Sequence, residues 1–382
     1  MKNKWYGEGI KLGVLGGGQL GRMLIQSAIS YDVRIYAMDS SKDAPCGHLA
    51  YEFTEGSITN YDDVMKFGSD KDVLTVEIEN VNVDALEELE KNGKKVFPQP
   101  HILRLIQDKG LQKQFYQTHQ IPTSPFHLLN RRDEMRQHLS ELPFVQKLRK
   151  GGYDGKGVCM INREEDIIAG FNAPSIIEKK IPFKKELSVI VARNENGETK
   201  AFPVVECEFS KELNLVEFLF SPASISDEIE KNAIALAKKV INELGLVGLL
   251  AVEMFLTQND ELLVNEVAPR THNSGHHTIE SNLISQFEQH FRSILNLPLG
   301  STDMVKAGVM VNLIGEQGHS GMARYEGMEK ILGMSGVYVH LYGKQETRPG
   351  RKMGHVTITD DDIDKAKAKA REVQKLIKVK AF

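Results

Sequence analysis

Apolar positions in the first hundred residues fall into short runs, each followed by a stretch of helical period. Residues 10–15 read as a strand, and Gly16-Gly17-Gly18-Gln19-Leu20-Gly21 turns it into a helix reaching about residue 30. Further strands are expected at 33–38, ending at Asp39, and at 73–78. A helix over 84–92 is closed by Gly93, the residue type that best tolerates the left-handed position after a helix. Alternating strand and helix predicts a doubly wound α/β domain on a parallel sheet. It ends near Pro98-Gln99-Pro100.

The pattern then changes. Two helical stretches run to about residue 120, and Ile121-Pro122-Thr123-Ser124-Pro125 reads as a linker. From 126 to about 181 comes a small strand-rich unit, with strands at 144–148 and 158–161 joined by a glycine-rich loop. The remainder is α+β: strands at 188–192 and 201–206, a helix over 227–244, and an apolar hairpin. Late strands follow at 336–341 and 356–359, and a helix over 361–377 closes the chain. The expected division is an N-terminal α/β domain (1–105), linker helices with a small middle domain (106–185), and a larger C-terminal region (186–382).

Composition narrows the class. A chain of 382 residues can bury two or three cores. Net charge is −4 with a pI near 6.3, so no basic surface points to nucleic acid. Cys46, Cys159 and Cys207 lie far apart, which argues against disulfides and structural zinc and fits a reducing compartment. No apolar run reaches membrane-spanning length. A cytoplasmic enzyme with small-molecule partners, and with neither nucleic acid nor membrane, is expected.

Chemistry concentrates in a few places. In the hairpin, Glu253 and Glu266 each sit within an apolar strand. Side by side they would repel, and Mg²⁺ relieves such a pair where phosphate is near. Gly16, Gly18 and Gly21 satisfy G-x-G-x-x-G, which aims backbone N–H groups and a helix N-terminus at an anion. Gln19 and Leu20 would supply those N–H groups to a phosphate. The second glycine loop, from Gly151 to Gly157, lies between strands, which excludes P-loop geometry and suits a flap over a polyphosphate. Lys147 precedes it and can neutralise phosphate charge. The strand end Glu178-Lys179-Lys180-Ile181 suits an adenine edge, and Glu186 suits ribose hydroxyls. Arg270 offers a planar fork for a carboxylate-like anion, with His272 and Asn273 as further donors. Glu77 and Glu79 alternate with Ile78 at the carboxyl edge of the first sheet, where they suit ribose hydroxyls or an amino group. Lys344 and Arg351 can fold back on the first loop.

Together the flap, Glu178, Glu186, Glu253 and Glu266 resemble the ATP-grasp superfamily. Within it, five ordered motifs resemble the synthases of 5-(carboxyamino)imidazole ribonucleotide in purine synthesis. They are Gly16-Gly17-Gly18-Gln19-Leu20-Gly21-Arg22-Met23, Glu77-Ile78-Glu79-Asn80, Gly152-Tyr153-Asp154-Gly155-Lys156-Gly157, Arg270-Thr271-His272-Asn273-Ser274-Gly275-His276 and Arg348-Pro349-Gly350-Arg351-Lys352-Met353-Gly354-His355. The resemblance implies an ATP-grasp fold with an N-terminal pre-ATP-grasp domain. It implies ATP-dependent carboxylation of aminoimidazole ribonucleotide by bicarbonate through carboxyphosphate, with Mg²⁺, in a homodimer. It places ATP on Lys109, Lys147, Gly152 to Val158, Glu178 to Ile181, Glu186, Asn265 and Glu266. Mg²⁺ falls to Glu253 and Glu266. The ribonucleotide falls to Gly18, Gln19, Leu20, Glu77, Glu79, Asn80, Lys344 and Arg351, and the chemical step to Arg270, His272, Asn273, Tyr153 and Lys344.

Three rivals remain at this stage. An NAD-dependent oxidoreductase uses only the first glycine loop. A nucleotide sensor would not need the metal carboxylates. A formate-using transformylase differs only in its one-carbon donor.

Overall fold

The computed structural model describes residues 4–152, 157–209 and 216–382. The N-terminal sheet is wholly parallel, in the order Glu52–Glu55, Val33–Asp39, Gly7–Leu15, Val73–Val76, Lys95–Val96. Leu12, Val14, Leu15, Leu74 and Val76 are buried, because helices cover both faces, and this is why the strands read as unbroken apolar runs. The helix Gln19–Ile29 turns Leu20, Met23, Leu24, Ile25 and Ala28 inward. Val83–Lys91 is helical, and Asn82 caps it by accepting the Ala85 N–H. The strand Val73–Val76 stops two residues short of the expected 78. Ile78 is exposed there, so the Glu77–Ile78–Glu79 alternation belongs to a loop, not to the sheet.

The small unit is a four-stranded antiparallel sheet ordered Phe126–Leu129, Ser175–Lys179, Phe144–Leu148, Val158–Ile161. Its core gathers Leu129, Met135, Phe144, Ile161, Ile167 and Ile177.

The remainder is organised on one nine-stranded sheet. Its path runs Leu262–Ala268, Gly248–Thr257, Phe183–Arg193, Val205–Phe209, Val216–Ser221, Ala307–Ile314, Lys352–Asp360, Val337–Leu341, with Thr199–Ala201 beside Phe183–Arg193. The expected strand over 201–206 is two strands. Both pair with Phe183–Arg193, and the ladder is interrupted at Pro203, which has no N–H to give it. Ala307–Ile314 was not foreseen, since a central strand buried on both faces shows no alternation. The helix Asp227–Leu244 is capped by Ser226 and closed by Gly245 at φ 63. Its Ala233, Ala237, Val240 and Ile241 pack in one core with Leu187, Val189 and Val252 of the sheet. Among the described residues no helix is long and apolar enough to cross a membrane.

Candidate active site

The hairpin forms as its sequence predicts, and Glu253 is the cross-strand partner of Glu266. A bulge lies between this pair and the next, which opposes Met254 to Val264 and leaves Asn265 unpaired. Lys109, on the helix Lys109–Thr118, brings Nζ to 2.6 Å from Glu266 Oε2. Two carboxylates thus share one close lysine. Lys109 holds Glu266 below the usual carboxylate range, while burial and the charge of Glu266 push Glu253 above it. Glu186 lies along the same wall with Cys207, Phe255 and Asn265. Burial raises its pKa to about 7.

A second charged group faces this wall from the small sheet. Glu178 is buried, with Lys113 Nζ 2.7 Å from one carboxylate oxygen and Lys147 Nζ 2.7 Å from the other. Lys147 also donates to Asn265 Oδ1 at 3.0 Å, and Lys113 to Thr123 Oγ1 at 2.5 Å. The Glu178 side chain is therefore paired with two lysines, and what the strand end offers an adenine edge is its main chain. The two lysines, with Lys147 first, draw the Glu178 pKa down despite burial. Of the following main chain, Lys179 and Lys180 give their N–H groups to the Pro125 and Pro143 carbonyls. The Ile181 N–H has no partner among the described residues.

After the hairpin the chain turns through Arg270 to Asn273. Arg270 Nε lies 3.0 Å from Glu79 Oε1, and Nη1 donates to the Thr271 carbonyl at 3.0 Å. His272 Nε2 is 3.7 Å from Glu253 Oε1, and Nδ1 is 2.9 Å from Ser274 Oγ. Burial, then Arg270 and Lys352, lowers the His272 pKa to about 3, so its imidazole is neutral at ordinary pH. Asn273 Nδ2 is buried with no hydrogen-bond partner among the described residues. An orphaned donor costs about 1–3 kcal/mol, so a group that accepts from it is favoured here.

The first glycine loop differs from expectation in its occupancy. Gly17 N–H is held by Asp39 Oδ2 at 2.8 Å, and Leu20 N–H by Glu77 Oε1 at 3.0 Å. Asp39 is thus spent on the loop, not held ready for a dinucleotide ribose, and Leu20 is not open to a phosphate. The Gly18 and Gln19 N–H groups have no partner among the described residues. A Cβ on Gly18 would come within 2.4 Å of Glu77 Oε1, so a side chain there would displace the Glu77 carboxylate. Burial raises the Glu77 pKa, with Arg270, the Leu20 N–H and Lys344 opposing.

Lys344 therefore lies near Glu77, and its Nζ donates to the Lys352 carbonyl at 2.7 Å. Arg351 donates to the Glu346 carbonyl at 2.7 Å and makes no hydrogen bond or ion pair with the glycine loop among the described residues. Asn80 is in the loop after Val73–Val76. Gly152, Gly157 and Val158 flank the second loop, and Tyr153, Asp154, Gly155 and Lys156 lie outside the described residues. Sequence reasoning passed over Lys113, whose one signal was a lysine in an apolar helix face, and Lys352, visible only as part of a motif.

A small lysine-bearing sheet facing an acidic hairpin on a larger antiparallel sheet defines the ATP-grasp class. Residues 114–287 match the ATP-grasp domain, 10–107 the ribonucleotide synthetase preATP-grasp domain, and 308–369 the phosphoribosylaminoimidazole carboxylase C-terminal domain. The chain is 39% identical to N5-carboxyaminoimidazole ribonucleotide synthase of Bacillus subtilis, over 93% of each chain. The synthetase of Thermotoga maritima superposes with a TM-score of 0.91 at 39% identity, over 98% of this chain and 100% of that one. The Aspergillus clavatus synthase, crystallised with ADP and 5-aminoimidazole ribonucleotide, gives 0.89 at 31% identity over 98% and 99%. The chain belongs to the N5-carboxyaminoimidazole ribonucleotide synthase family.

Proposed function

We propose that this protein is an ADP-forming ligase that carboxylates 5-aminoimidazole ribonucleotide with bicarbonate in purine synthesis. Family membership supports the reaction, and one observation carries the site. Glu253 and Glu266 face each other with a single close lysine among the described residues, where a cation and a polyphosphate would complete the charge balance. The oxidoreductase and transformylase readings have no such support.

The reaction balances in three steps. A bicarbonate oxygen attacks the γ-phosphorus of ATP and expels ADP. Carboxyphosphate breaks its C–O bond to give CO₂ and phosphate. The amine nitrogen of the ribonucleotide adds to CO₂ and releases one proton.

Residues carry these demands as follows. Glu253 and Glu266 would hold Mg²⁺, which when bound offsets charge on the transferred phosphoryl group. Lys109 and Lys147 line the polyphosphate path, and the Ile181 N–H meets the adenine edge. Glu186, near its midpoint at neutral pH, donates to or accepts from ribose hydroxyls. Arg270 and the Asn273 amide hold bicarbonate. Neutral His272 donates or accepts a hydrogen bond without adding charge. Gly18 and Gln19 N–H groups with Lys344 receive the ribonucleotide phosphate, and Glu77 and Glu79 its hydroxyls or amine.

The test is ADP release with ribonucleotide and bicarbonate each omitted in turn. Full turnover should need both, and formate should not replace bicarbonate. Turnover with formate, or NADH binding in place of ATP, would overturn the reading.

A further inference from the structure

Gln286 is fully buried at the start of the helix Gln286–Ile294, an unusual place for an amide unless every polar atom is used. Its Oε1 accepts the His272 N–H at 2.8 Å, and its Nε2 donates to the His272 carbonyl at 2.7 Å. A backbone N–H only donates and a carbonyl only accepts, so this pairing fixes the orientation of the amide. The second Nε2 hydrogen is directed to His276 Nδ1 at 3.1 Å. His276 is itself fully buried, its ring 4.7 Å from that of His355, whose Nδ1 lies 3.1 Å from the Tyr342 hydroxyl. The loop has no slack around this contact: a Cβ on Gly275 would lie 2.5 Å from Gln286 Oε1.

We propose that Gln286, backed by His276, is a positioning residue for the carboxylation step. It clamps the His272 main chain at both its polar groups and so sets Arg270, His272 and Asn273 against the carboxylate hairpin. His272 is fixed from the other side through Ser274 Oγ, which is 2.7 Å from Ser188 Oγ, and Ser188 is the cross-strand partner of Glu253. The clamp and the metal carboxylates are thus two supports of one imidazole. No atom of Gln286 need touch substrate.

The inference rests on the proposed reaction, and wild-type ADP release with each substrate omitted tests that reaction on its own. Gln286→Met keeps the volume and removes both hydrogen bonds to His272. The expected result is a fall of at least tenfold in kcat and a rise in the bicarbonate KM. The Kd for Mg·ATP should stay within about twofold, and more than one ADP should be released per carboxylated product. Gly275→Ala, which displaces the amide without removing it, should show the same split and serves if the methionine variant does not fold. Gln286→Glu adds a readout that packing alone would not move. Only the protonated acid can donate to the His272 carbonyl, so its activity relative to wild type should recover as pH falls. Unchanged bicarbonate dependence in the folded variants would overturn the proposal. So would ATP binding lost in step with turnover, or a Gln286→Glu profile parallel to wild type.

Discussion

Two carboxylate groups face each other across the cleft, and their surroundings are opposite. Glu178 is closed on itself, with a lysine 2.7 Å from each oxygen. Glu253 and Glu266 share one close lysine between two acids. Removing one partner of a buried ion pair costs about 3–5 kcal/mol, because the other charge is left uncompensated. Removing one of two like charges relieves repulsion. The first group should therefore be read in stability and the second in activity.

The largest expected effect is Glu266→Gln. Turnover should fall at least about a hundredfold, as for loss of a strong electrostatic contact in a closed site, with stability in the absence of nucleotide changed less than in Lys113→Met, because the lost Lys109 pair is half-exposed and repulsion with Glu253 is relieved. Near-normal turnover at ordinary Mg²⁺ would make the hairpin structural. Lys113→Met should do the converse, lowering stability by about 3–5 kcal/mol in denaturant titration. A stable Lys113→Met protein that fails only to bind ATP would erase the contrast.

Bicarbonate should respond next. Arg270→Lys keeps the charge but loses the planar fork. We expect roughly a tenfold rise in bicarbonate KM, about 1.4 kcal/mol, with ATP affinity held.

A pH series sharpens the comparison. Glu253 has its folded pKa raised above that of the unfolded chain by burial and Glu266. Its contribution to stability is present at low pH and lost as pH rises through the raised value. Without Mg·ATP, Tm should decline between about pH 4.5 and about pH 8 and level off above, and Glu253→Gln should flatten that decline. Mg²⁺ competes with the same proton, so its affinity should rise over that interval. Tm rising with pH would refute the assignment. The smallest effect is expected at Arg351, whose recorded bond lies within its own turn. Arg351→Ala should weaken the ribonucleotide by no more than about tenfold, about 1.4 kcal/mol, and leave ATP unmoved.

The hairpin, the first glycine loop and the helix Asp227–Leu244 were legible because each couples a period to a punctuating residue. Partner choice was not. Glu178 and Glu253 look alike in sequence, as single acids in apolar strands. What separates them is Lys113, Lys147 and Lys109, brought there by other elements. Leu20 illustrates the same limit. A helix N-terminus announces an anion, but here Glu77 of the chain itself supplies one. Gln286 was hidden for another reason: a polar residue in an amphipathic helix reads as solvent-facing until burial is known.

The bulge at Asn265 changes how the acidic strand is to be counted. Val264 and Val267 are both buried, three positions apart, where a regular strand would bury every second residue. The slip lets consecutive residues look the same way: Asn265 meets Lys147 and Glu266 meets Lys109. Deleting Asn265 would leave a strand of more orthodox alternation, yet Lys147 would lose its partner on that strand and only Glu266 would be left to meet a lysine. For anyone redesigning this protein, that one surplus residue is a frame marker, and alignments that absorb it as an ordinary gap will misplace the metal carboxylate.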